Sequence, residues 1–263
     1  MREQRDIVRQ ITVAASATFA LIGAFVGSGA AGGTPIQDAA GGALAADATL
    51  IAPAASAFGI WSVIYLGLIA YAMWQLLPGQ SSGERHRRLG FWVAASLVLN
   101  AFWILSIQFD LLPLSVPIII VLLAVLIQAF RQAVQYQAAS TLDAVITDGS
   151  IGLYLGWVCV ATAANVTALL VASGFTGWGL APELWSVVVI AVAAAAGVLL
   201  AVAGKGRIAP ALSLGWGLSW VAVGRLGGEP ASAVTGFAAI AAVVVVLAAT
   251  VVTRVRRGAA RAS

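Results

Sequence analysis

Long apolar runs free of charged residues alternate with short polar segments along the chain. A run of about 20 apolar residues can span the hydrocarbon core of a bilayer as an α-helix. The runs are apolar on every face, whereas the strands of a membrane barrel alternate between apolar and polar residues, so the pattern predicts helices. The eight predicted transmembrane helices cover residues 11–30, 58–77, 89–109, 112–130, 150–173, 184–204, 208–224 and 233–253.

Three features add detail to this pattern. The seventh run is the least certain helix, because it is short and contains Pro210 and two glycines. The longest break between runs covers residues 31–57, which are rich in Ala and Gly, and no segment fits a soluble domain. In the first run, the spacing of Gly23 and Gly27 suits close packing between helices.

The composition supports a membrane location. Hydrophobic residues make up 61% of the 263-residue chain and charged residues only 9%. A soluble domain carries about 25% charged residues. So few charges cannot cover a water-facing surface, and lipid must replace the missing polar surface. The predicted fold class is therefore all-α, a polytopic bundle of about eight transmembrane helices.

The basic residues predict the orientation of this bundle. Cytoplasmic segments of membrane proteins are enriched in Lys and Arg. If the N-terminus is cytoplasmic, every basic residue except Arg225 lies on the cytoplasmic side, and so does the C-terminus. A cleaved signal peptide is an alternative for the first run, but its length favours a retained helix. The cytoplasmic set is Arg2, Arg5, Arg9, Arg85, Arg87, Arg88, Arg131, Lys205, Arg207, Arg254, Arg256, Arg257 and Arg261.

Groups able to carry catalysis are scarce. No Asp, Glu, Lys, Arg or His lies within any of the eight runs. Cys159 and His86 are the single cysteine and the single histidine, in separate segments, so they predict neither a disulfide nor a metal site. We expect His86 to be a solvated loop residue, and Asp143 and Asp148 to be solvated or capping residues. The sequence therefore predicts no enzymatic activity and no cofactor.

Tryptophan and asparagine are the candidate binding residues. Four of the nine tryptophans lie near run ends, as in an interfacial aromatic belt. The other five lie deeper, where each indole N–H needs a partner in another helix or in a ligand. Asn100 and Asn165 also lie at depth and need such partners. Packing between helices remains the alternative for each. The belt set is Trp74, Trp92, Trp178 and Trp185, and the deeper set is Trp61, Trp103, Trp157, Trp216 and Trp220.

Three motifs follow one another in the second, third and fifth runs. In residues 53–65 a proline precedes Phe, Trp and Tyr; residues 99–103 read Leu-Asn-Ala-Phe-Trp; and residues 154–165 contain a Trp and end in Asn. In this order and placement they resemble the tryptophan-rich sensory protein family, also called TspO or translocator protein. The resemblance covers about residues 1–175, a predicted five-helix core. Residues 176–263 are predicted to form a three-helix extension with a basic C-terminal tail.

The resemblance implies a sensory or regulatory membrane protein that binds a hydrophobic ligand, such as a tetrapyrrole or a sterol, in an aromatic pocket. Aromatic faces stack on such ligands, and a few amides fix their orientation. The chain departs from the family pattern in the spacing from Phe to Trp in the first motif, which is one residue shorter. The residues that the resemblance places in the pocket are Phe58, Trp61, Tyr65, Asn100, Trp103, Trp157 and Asn165.

A transporter of a small uncharged or lipophilic solute is the alternative function, because runs interrupted by Gly and Pro are a feature of transporters. The predicted partners are the lipid bilayer and the porphyrin- or sterol-like ligand, and a homodimer is the predicted assembly. No nucleic acid is expected. The predicted location is the bacterial plasma membrane.

Overall fold

The computed structural model describes residues 3–262, and within that range the regular structure is entirely helical. This confirms the all-α fold class. Arg2, which contributed to the predicted orientation, and the side chain of Arg261 lie outside the described residues. The long helices of the described range are α1 (Gln4–Gly27), α2 (Ile60–Trp74), α3 (Glu84–Gln108), α4 (Leu112–Gln135), α5 (Thr141–Ala172), α6 (Pro182–Ala203), α7 (Ile208–Gly227) and α8 (Ala233–Ala262).

Among the described residues, seven helices are long and apolar enough to cross a membrane. The remaining long helix is α7, the run that the sequence marked as least certain. A 3₁₀ turn, Ala55–Gly59, precedes α2 and lengthens that span. Large apolar side chains are exposed along the helices; Leu66, Val192 and Leu199 are each about two thirds exposed. Such surfaces suit lipid, and the chain is a multi-pass membrane protein.

The residues form two compact units. The first contains Met1–Pro35 and Ile60–Leu155, and the second contains Ile36–Gly59 and Gly156–Ser263. The predicted division at residue 175 concerns a different property, namely which part of the chain folds by itself. That division stays a prediction, which a chain truncated after about residue 176 would test.

Two glycines bring α1 and α3 together in the first unit. A Cβ atom added to Gly23 would lie 2.8 Å from the Cβ of Ala101, and one added to Gly27 would lie 2.8 Å from Cγ1 of Ile104. The contacts advance in the same direction on both helices, so α1 and α3 run parallel. The predicted packing role of this glycine pair is confirmed.

Replacement of Gly23 by Leu should therefore destabilise the first unit. The new side chain would have to displace the backbone of α3, and such overpacking costs about 1–3 kcal/mol. Thermal unfolding of the purified protein in detergent measures the effect. Gly258→Leu is the matched control, because a Cβ at Gly258 meets no atom within 4 Å. Equal unfolding temperatures for the two variants would contradict the close packing.

In the second unit, α7 is a continuous helix despite its proline and glycines. Pro210 lies in its first turn, where proline is tolerated. A Cβ at Gly217 would lie 2.9 Å from Cγ1 of Val160 on α5, and Gly156 of α5 packs against Pro210 and Ser213. The small residues thus serve close helix packing. Since α7 is unbroken, this helix gives no support to the transporter alternative.

The long segment before α2 packs along α7 in the same unit. The N–H of Ala54 donates to the carbonyl of Trp220 at 3.1 Å. The indole Nε1 of Trp216 donates to the carbonyl of Ala57 at 2.9 Å. Both deep tryptophans of α7 therefore lie beside the segment, and their rings contact each other at a centroid distance of 5.5 Å. The indole partner that the sequence required for Trp216 is a backbone carbonyl.

Candidate functional site

Three aromatic rings surround that of Trp61 in the first unit, and with it they form the Trp61 cluster. The Trp61 ring lies 5.7 Å from that of Tyr65, 6.3 Å from that of Trp103 and 5.9 Å from that of Tyr154, centroid to centroid. These distances are typical of stabilising aromatic pairs. Helices α2, α3 and α5 supply the rings, so three motifs distant in sequence meet here. Trp103 and Tyr154 are buried, whereas Trp61 and Tyr65 are half-buried.

Asn100 adds a polar group to this aromatic cluster. Its Nδ2 atom donates to the hydroxyl of Tyr65 at 2.7 Å. Asn100 is 2% exposed, and its Oδ1 atom has no hydrogen-bond partner among the described residues. Buried polar atoms are usually paired, and an unpaired acceptor is costly. The cluster thus combines aromatic faces with an amide oxygen that can still accept a hydrogen bond.

Tyr154 belongs to this cluster although it was not among the site residues predicted from the sequence. Its hydroxyl donates to the carbonyl of Ser96 at 3.2 Å, and its side chain is fully buried. The available signal was its position as the first residue of the motif 154–165. Without an indication of which face of α5 points inward, that position alone could not select it.

The remaining predicted site residues lie in the second unit. Phe58 and Trp157 form an edge-to-face pair with ring centroids 6.0 Å apart. Trp157 and Asn165 are buried, with 2% and 1% of their surfaces exposed. The seven predicted residues therefore divide between the two units. The structure brings Trp61, Tyr65, Asn100 and Trp103 together as one cluster, and the roles of Phe58, Trp157 and Asn165 stay predictions.

The family model for TSPO-like proteins matches residues 13–251. The chain belongs to the TSPO-like protein family. The match extends into α8, beyond the residues that carry the three motifs. No curated protein and no solved structure matched this TSPO-like chain.

An ion-pair cluster in the TSPO-like chain corrects one expectation. Asp143 is 1% exposed and lies 3.3 Å from Nε of Arg85, which also pairs with Asp148. The Asp143 carboxylate accepts a hydrogen bond from Thr147 at 2.7 Å, and Arg85 donates to the carbonyl of Tyr136. Of the two alternatives predicted for Asp143, the solvated one is wrong, whereas the capping one agrees with the hydrogen bond that its carboxylate accepts from the N–H of Ala139 at the helix start, at 3.3 Å. Since Arg85 lies 58 residues earlier in the chain, its pairing was invisible in the sequence.

His86 was also predicted incorrectly. It is 1% exposed and lies inside α3, which begins at Glu84, rather than in a solvated loop. Its ring lies 5.8 Å from that of Tyr71, centroid to centroid, and its Nε2 atom pairs with Oε1 of Gln80 at 3.1 Å. The charged residues around it concealed the start of the helix, because the apolar run that predicted this helix begins only after them, at residue 89.

Proposed function

We propose that this TSPO-like protein is a sensory or regulatory membrane protein that binds a hydrophobic, tetrapyrrole- or sterol-like ligand at the Trp61 cluster. The observation that carries the proposal is the buried carboxamide oxygen of Asn100, which lacks a partner among the described residues. A pyrrole N–H or a sterol hydroxyl can donate to that oxygen. The flat apolar body of the ligand would meet the faces of Trp61 and Trp103. Specificity would thus come from one amide within an aromatic environment.

Replacing Trp61 or Trp103 by Phe should weaken ligand binding by about 1 kcal/mol, the scale of one aromatic contact or one hydrogen bond. The change removes the indole N–H and part of the stacking surface. The affinity is measured by titrating each purified variant with a porphyrin and with cholesterol. Binding is monitored by the quenching of the remaining tryptophan fluorescence. Trp157→Phe in the same series tests the predicted role of Trp157.

The control is Trp92→Phe, since Trp92 is 39% exposed near the beginning of α3 and lies outside the predicted site. Thermal unfolding of every variant separates lost binding from lost stability. If all four variants bind both ligands equally well, the tryptophans serve packing and the proposed site is wrong.

Binding without catalysis is part of the proposal. The aromatic cluster offers stacking faces and an amide, and these groups suit recognition more than proton transfer. Transport of a small lipophilic solute remains the alternative function. Flux of a bound ligand into proteoliposomes separates the two, because a sensor binds the ligand without accelerating its passage across the bilayer.

We also propose the orientation and location predicted from the basic residues. A reporter fused after Ser263 should register the cytoplasm, and one inserted in residues 31–57 should register the outside. A C-terminal reporter found outside would mean that an odd number of helices spans the membrane, with α7 as the exception. The bacterial plasma membrane and the homodimer stay predictions, which fractionation and light scattering of the detergent-purified protein test.

A further inference from the structure

A cavity of about 540 Å³ lies within the second unit, at the end of α5 and the start of α6. Its size falls in the range of small-molecule sites, about 300–1,000 Å³. Residues 48–51, the connection between α5 and α6, and the turn at Pro230 complete the wall. None of the seven predicted site residues lines this cavity, so it is distinct from the Trp61 cluster.

Aromatic rings form one wall of the cavity. The rings of Phe175, Trp178 and Trp185 contact one another edge to face, with centroids 5.4–5.7 Å apart. Phe175 and Trp185 line the cavity, whereas Trp178 is 80% exposed. The indole Nε1 of Trp185 donates to the carbonyl of Gly177 at 2.9 Å, which fixes the ring against the connecting loop. The aromatic wall is therefore held in place by the chain itself.

The charges around the cavity are mainly negative. Glu183, in the first turn of α6, is the one ionisable residue among the lining residues. Its carboxylate has no hydrogen bond or ion pair within the described residues. Asp47 and Glu229 directly precede the lining residues Ala48 and Pro230. The nearby guanidinium of Arg225 is buried and already donates to backbone carbonyls.

Helix geometry alone offers a simpler role for Glu183. A carboxylate in the first turn of a helix interacts favourably with the helix dipole. That role explains the residue type but not its position on an apolar cavity with an aromatic wall. Aromatic faces and a carboxylate together are the groups that recognise organic cations.

We propose that this cavity binds a lipophilic organic cation. The apolar body of the ligand occupies the cavity, and its positive charge lies beside Glu183 and the face of Trp185. Since the cavity is at helix ends, the charged part of such a ligand can stay close to the aqueous interface while the apolar part is withdrawn from water. This site is independent of the proposed tetrapyrrole or sterol site.

Tetraphenylphosphonium and tetraphenylborate are suitable probes, because they match in size and apolarity but carry opposite charges. Equilibrium dialysis against the full-length protein in a neutral detergent should show stronger binding of the cation. Glu183→Gln should weaken binding of the cation by about tenfold, the scale of one lost favourable contact, and should not weaken binding of the anion. Glu84→Gln is the matched control, since Glu84 is an exposed carboxylate of the first unit; it should leave cation binding unchanged.

A second variant tests the cavity without touching its charge. Val189 lines the wall and is half-buried, so Val189→Phe fills the cavity and should abolish binding of the cation while the unfolding temperature stays near that of the parent. Equal binding of the two probes to the parent protein would overturn the proposal, as would undiminished binding of the cation to Glu183→Gln or to Val189→Phe.

Discussion

Replacing Asp143 by Ala is expected to lower the free energy of unfolding by about 3–5 kcal/mol, the cost of removing one member of a buried ion pair. Asp143 is 1% exposed and accepts hydrogen bonds from Thr147 and from the N–H of Ala139. The substitution also leaves the guanidinium of Arg85 with one carboxylate, that of Asp148, in place of two. Thermal unfolding in detergent, followed by circular dichroism, measures the loss.

Two further variants make the interpretation specific. Glu84→Ala breaks an exposed ion pair with Arg88, at 3.7 Å, and should leave the unfolding temperature unchanged, because exposed pairs contribute little. Combining Asp143→Ala with Asp148→Ala and Arg85→Met removes all three charges of the cluster, so that no member is left without its partner, and should recover part of the lost stability. If this triple variant is no more stable than Asp143→Ala, the ion pair is not the source of the effect.

The apolar runs predicted the helices well, because the bilayer leaves the backbone only one way to satisfy its hydrogen bonds. Helix ends were predicted less well. The third run was expected to begin at residue 89, yet α3 begins at Glu84. Its first turns carry Arg85 and His86, which are buried against other parts of the first unit. Hydropathy treats such residues as solvated, so it cannot detect a polar helix end that finds its partners within the protein.

The candidate site shows a similar limit. Family motifs selected Trp61, Asn100 and Trp103, which lie together in the first unit, but helices that are apolar on every face do not reveal which side chains point inward. Tyr154 was therefore missed. The cavity beside Glu183 was missed for a different reason: its wall combines three separate stretches of the chain, within residues 48–51, 167–189 and 230–231, none of which carries a recognisable motif.

Arg225 is the basic residue that departs from the cytoplasmic pattern, and the structure gives it a local role. It lies near the end of α7 and is 1% exposed. Its guanidinium donates to the carbonyls of Ala46 at 2.6 Å, Thr49 at 3.2 Å and Glu229 at 3.1 Å. These bonds join α7 to the segment before α2 and to the turn before α8. A single lysine ammonium lacks the planar fork that reaches several acceptors at once.

Arg225→Met should consequently lower the free energy of unfolding by about 3 kcal/mol, because hydrogen bonds from a charged donor contribute about 1.5–3 kcal/mol each and the losses are only partly additive. Met retains much of the length and apolar contact of Arg, so the loss reports on the guanidinium. The free energy of unfolding of Arg225→Lys should lie between those of Arg225→Met and the parent protein. Arg256→Met, at an exposed arginine, is the control for the loss of a positive charge.

Limited proteolysis should also cut residues 36–59 faster in Arg225→Met, since two of the three lost bonds fasten that segment. Unchanged stability together with an unchanged cleavage rate would show that other contacts, such as the bond from Trp216 to Ala57, hold the segment without Arg225.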